Sequence, residues 1–114
     1  MHSIFRDRER RRTERVMIRI PIRVLATAPG GMHVNESGEA VVVSRNGALL
    51  QTRSALPSGT IIEITNHFSK NAEKFRVIWA SDKQSTGQYS LGVESVTPRE
   101  GFWGVRFPPA VTTV

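Results

Sequence analysis

A strict alternation runs through VMIRIPIRVL, residues 16–25. Val16, Ile18, Ile20, Ile22 and Val24 fall on one side of a period of two, and Met17, Arg19, Pro21, Arg23 and Leu25 fall on the other. Successive side chains of an extended chain point to opposite faces, so this is a half-buried strand with Arg19 and Arg23 facing out. Pro21 has no N–H to give a ladder, which places that point at an edge or a bulge. No segment carries an i, i+3, i+4 apolar stripe over ten or more positions. Amphipathic helices are therefore excluded as the main element, and only the arginine-rich start and TPREGFW have room for a helical turn or two.

The remaining chain repeats a grammar of strand and turn. TAPGGMHVNESGE reads as a loop by its Gly, Pro, Asn and Ser content. AVVV and ALLQT form a hairpin about SRNG, in which Asn46 and Gly47 suit positive φ. LPSGT is a turn in which Pro57 presets φ and Gly59 supplies freedom, and IIEIT is the strand after it. KFRVIWA puts Phe75, Val77 and Trp79 on one face, and QYSLGVESV closes the series after the loop SDKQSTG. Six short strands within the 114 residues of one domain favour a closed or nearly closed barrel over an open sheet with two exposed edges.

Several function classes drop out. With no cysteine there is no disulfide framework, thiolate metal site or thiol nucleophile. The apolar runs fall far short of the ~20 residues that cross a bilayer, and MHSIFRDRERRR lacks the apolar core of a signal peptide, so a cytoplasmic protein without membrane insertion is expected. His2, His33 and His67 have no ligand spacing, which speaks against a metal. No carboxylate pair or Ser, His and Asp set has a local signature, and Ser44 has no base near it in sequence. The expectation is a binding module and not an enzyme, with no cofactor.

The charge is concentrated. Of the net +6, residues 1–23 carry +5, from eight arginines against Asp7, Glu9 and Glu14, while the remaining chain is nearly neutral. Every basic residue in that end is arginine, whose planar fork pairs bidentately with phosphate and stacks on flat rings. No aromatic residue is interleaved with the cluster as a single-strand stacking platform would require, which argues against a general nucleic-acid binder.

Arg11 and Arg15 make an R-x-x-x-R, Ser44 and Gly47 make an S-x-x-G, and a strand of about ten residues leads from the first motif into the sheet that holds the second. This order resembles the PilZ domain, a bacterial receptor module for cyclic di-GMP with motifs R-x-x-x-R and [DN]-x-S-x-x-G. The likeness continues through SRNGALL, PSGT, RVIWA and LGVESVTPREGFWGVRFPP, nearly the whole chain. It implies a six-stranded antiparallel β-barrel over residues 16–114 and a flexible basic segment over residues 1–15. It also implies cyclic di-GMP as ligand, held by Arg11, Arg12, Arg15, Ser44 and Gly47, with the signal relayed to an effector protein that the sequence does not name.

The chemistry suits such a ligand. A cyclic dinucleotide carries two phosphates and two flat purines, and arginine pairs with phosphate, stacks on a ring and matches the O6 and N7 edge of guanine. One residue departs from the pattern: Val42 stands where the family has Asp or Asn. A valine there omits a hydrogen bond worth about 1–3 kcal/mol, five- to hundredfold in affinity. The alternative is therefore a PilZ-like adaptor that has lost the nucleotide and binds a protein partner. By alternation Val42 shares a face with Ser44, and Val41 and Val43 turn to the core.

Overall fold

β1 (Arg15–Thr27), β2 (His33–Ser44), β3 (Gly47–Thr52), β4 (Ile61–Asn66), β5 (Ala72–Ala80) and β6 (Tyr89–Ser95) are the strands of the computed structural model. It describes residues 15–27, 29–82, 84, 86–97 and 101–105. The strands close in the order β1-β2-β3-β6-β5-β4 with every pair antiparallel. The molecule is the all-β, six-stranded barrel expected from the sequence. Its closure comes from β1, which pairs with β2 along nearly its whole length and with β4 from Ile22 to Ala26.

The barrel interior is filled by the inward residues of each strand, among them Ile20, Ile22, Val24, Ala40, Val43, Leu50, Ile62, Ile64, Phe75, Val77, Leu91 and Val93. One end is plugged after β6. Phe102 and Trp103 are buried there against Phe75, with ring centroids 5.4 and 5.8 Å from it. Within TPREGFW and the residue after it, residues 101–104 form a turn, and Phe102 and Trp103 supply two core side chains; residues 98–100 lie outside the described residues. The buried Asn66 amide ties the plug to the β4–β5 turn. It donates to the Phe102 carbonyl at 2.9 Å and accepts from the Phe68 N–H at 2.9 Å.

Four expectations are corrected. Residues 33–39 are strand, not loop. Val34 is buried, and the outward positions are held by polar cross-strand pairs: Arg23 donates to Asn35 Oδ1 at 2.8 Å and Ser37 Oγ at 3.2 Å, and Arg19 meets Glu39 at 2.7 Å. Turn formers persist here because Gly38 lies against the Gln51 carbonyl, 2.7 Å from where a Cβ would stand. Second, Ile18, Val41 and Trp79 do not face the core. The register shifts between Met17 and Ile20, between Ala40 and Val42, and between Val77 and Trp79: the extra residues Val41 and Ile78 reverse the alternation on β2 and β5, while on β1 Val16 and Met17 keep their sides and only Ile18, within the bulge, turns out. The first bulge lies beside Pro21, as its missing N–H suggests. Third, neither Asn46 nor Gly47 takes a positive φ. Fourth, Arg15, expected in the flexible segment, opens β1 opposite Ser44. The rest of that segment, with Arg11 and Arg12, lies outside the described residues. No described helix is long and apolar enough to cross a membrane.

Candidate functional site

The outer wall carries two rows that follow directly from strand register. Met17, Val42, Leu49, Gly92 and Trp79 are successive cross-strand partners over β1, β2, β3, β6 and β5. They make an apolar band across five strands. Met17 is 84% exposed and Trp79 48%, so the band is open to solvent at both ends. The bulge at Ile78 swings Trp79 outward, and its indole lies on the bare backbone of Gly92, where a Cβ would collide with the ring. No larger residue at 92 leaves room for that indole.

Two residues farther along each strand, or three on β5 across its bulge, the wall turns polar. Arg15 pairs with Ser44 across β1–β2, Gly47 with Glu94 across β3–β6, and Glu94 with Arg76 across β5–β6. Ser44 and Gly47 flank the β2–β3 turn, where the Ser44 hydroxyl donates to the Gly47 carbonyl at 3.4 Å and the Asn46 carbonyl accepts from the Ser95 N–H at 2.7 Å. Between the two rows lies a cavity of about 470 Å³ lined by Arg15, Val42, Ser44, Asn46, Leu49 and Trp79, with Gly47 and Glu94 at its side.

Of the residues singled out in the sequence, the structure brings Arg15, Ser44 and Gly47 into this one cavity, together with Val42. Arg11 and Arg12 lie outside the described residues. Val42 does share its face with Ser44, and Val43 is fully buried, while Val41, the bulge residue, is only partly so. Gly47 has a structural reason of its own: an added Cβ would strike the Val93 carbonyl oxygen across the β3–β6 pair. Ser44 likewise caps its own turn. Sequence reasoning missed Trp79, Leu49, Asn46 and Glu94. Simple alternation sends Trp79 inward, and only knowledge of the bulge reverses it.

Chemically, the cavity offers a flat indole, an apolar floor, one guanidinium, a hydroxyl, an amide and one carboxylate. Such a set suits a ligand with a planar ring and an anionic group. Among the described residues no three of His, Cys, Asp and Glu gather as a metal-ligand set. No known family model matches the chain, and no curated protein matches it either.

Proposed function

We propose that the protein is a cytoplasmic PilZ-type receptor domain that binds cyclic di-GMP on the outer wall of its barrel and passes the signal to a protein partner, without catalysis. The observation that carries this reading is the convergence of Arg15, from the start of β1, with Ser44 and Gly47, from the β2–β3 turn, on a single cavity floored by an exposed tryptophan. Arg15 is suited to a phosphate or the guanine O6 and N7 edge, and Trp79 to the face of a purine. Arg11 and Arg12 precede Arg15 by four and three residues and would add two further guanidinium groups for the same ligand.

A second reading has its own support. Val42 sits inside the apolar band, where the motif residue of the family would place a polar group, and an exposed apolar band with a polar rim also fits a protein partner. The adaptor reading therefore stands beside the receptor. Calorimetric titration with cyclic di-GMP and with single-stranded DNA, each at two salt concentrations, separates them. The receptor gives saturable binding of the dinucleotide. A general nucleic-acid binder gives DNA binding that weakens steeply with salt. Silence toward both at high micromolar ligand, with the protein folded, favours the adaptor.

A further inference from the structure

We infer that Glu94 is the residue by which this cavity distinguishes guanine from adenine, an inference that rests on the cyclic-dinucleotide reading above. Glu94 is the one carboxylate among the described residues that line the cavity. It is exposed, so its oxygens are open to a ligand. It lies two positions from Gly92 on β6, and Gly92 is the residue on which the Trp79 indole rests. Two residues of strand span about 6.5–7 Å, comparable to the length of a purine. A base stacked on Trp79 thus has its edge directed at the row that holds Glu94.

Arg76, the partner of Glu94 across β5–β6, is exposed and does not line the cavity, and the lining neighbours leave that edge to Glu94. Gly47, its cross-strand partner on β3, has no side chain to intervene. Val42 lines the same cavity and has neither donor nor acceptor. Ser44 and Asn46 are neutral, and the Ser44 hydroxyl is turned to the Gly47 carbonyl. Guanine presents two parallel donors on its Watson–Crick edge, N1–H and the 2-amino group, which match the two oxygens of a carboxylate. Adenine presents one donor and a bare N1 lone pair, which faces a carboxylate oxygen unfavourably. Charge-assisted bonds of this kind are about twice as strong as neutral ones. The carboxylate that the [DN] motif would supply from β2 is in this chain supplied from β6.

The experiment is calorimetric titration of the full chain and of Glu94→Gln and Glu94→Ala with cyclic di-GMP and with cyclic di-AMP. Wild type should prefer cyclic di-GMP. Both variants should lose about tenfold or more of their affinity for it, with cyclic di-AMP binding unchanged or tightened, so that the preference collapses. Circular dichroism melts should superimpose, since the side chain is exposed. Variants that bind cyclic di-GMP and retain the full wild-type preference overturn the role of Glu94 while leaving the receptor reading in place. A wild type that binds neither dinucleotide overturns the receptor reading itself, and the assignment of Glu94 with it.

Discussion

Arg15 and Gly47 line the same cavity, yet the forces acting on them differ. Arg15 is exposed, so Arg15→Ala should change stability by less than about 0.5 kcal/mol. Its loss should remove a charge-assisted contact worth about 1.5–3 kcal/mol of cyclic di-GMP binding. Gly47→Ala should instead cost stability, because its Cβ meets the Val93 carbonyl oxygen and the barrel must shift to admit it. Overpacking of that kind costs about 1–3 kcal/mol, readable in a urea midpoint. A large drop in melting temperature for Arg15→Ala with unchanged affinity would remove its binding role. The same contrast separates Val42 from Val43. Val42 lines the cavity and Val43 is fully buried, so Val42→Asp should fold normally, while Val43→Asp buries an unpaired charge and should unfold the domain or lower its melting temperature sharply. Val42→Asn or Val42→Asp should also tighten cyclic di-GMP by roughly tenfold, by adding an acceptor on the ligand side. If titration finds wild type and both Val42 variants equally silent while all are folded, the cavity serves a protein partner.

Among the elements, alternation reads faithfully wherever one face of a strand is buried without interruption. Ile20, Ile22 and Val24 on β1 and Phe75 and Val77 on β5 are core residues as their period of two implies. It fails at the bulges, because an extra residue looks like any other in sequence while it displaces its own side chain and, on β2 and β5, inverts the assignments beyond it. That is why Ile18, Val41 and Trp79 are misplaced by pattern alone. It also fails along residues 33–39, where the outward pairs are Asn, Ser and Glu and the strand is held by its neighbour β1 in place of its own propensity. The site was legible in part for the same reason: Arg15, Ser44 and Gly47 were carried by motif spacing, whereas Trp79 and Glu94 become neighbours of those residues only through strand order. The bulge at Ile78 yields a test. The chain has two tryptophans, of which Trp103 is buried in the plug and Trp79 lies in the cavity. Cyclic di-GMP should quench wild-type tryptophan emission and leave Trp79→Phe nearly unquenched, and Trp79→Ala should lose about 1–3 kcal/mol of binding. Quenching that survives Trp79→Phe would assign the signal to Trp103 and place the ligand elsewhere.

At the level of the whole molecule, closure gives each described strand a neighbour on both sides over part of its length, and the open ends are the remaining weakness of a small barrel. The plugged end also carries the candidate cavity. β2 stops at Ser44, β3 starts at Gly47, β4 stops at Asn66 and β6 stops at Ser95, and the chain then returns to bury Phe102 and Trp103 against Phe75. The two rings meet each other edge-on, with centroids 4.8 Å apart, and Asn66 fixes the plug through the Phe102 carbonyl. The plug and the candidate cavity therefore occupy one end of the barrel but opposite sides of its wall, the plug inside and the cavity outside. Phe102→Ala should cost about 3–5 kcal/mol, a large part of the stability of a domain this size. The residual cavity would be lined by Phe75 and Trp103 and would not reach the outward face of Val42 or Trp79. Below its lowered melting temperature the variant should thus bind cyclic di-GMP with wild-type affinity, and urea titration should show an earlier midpoint. An unchanged midpoint together with lost affinity would mean that the plug shapes the binding surface directly, and that wall and interior act as one unit.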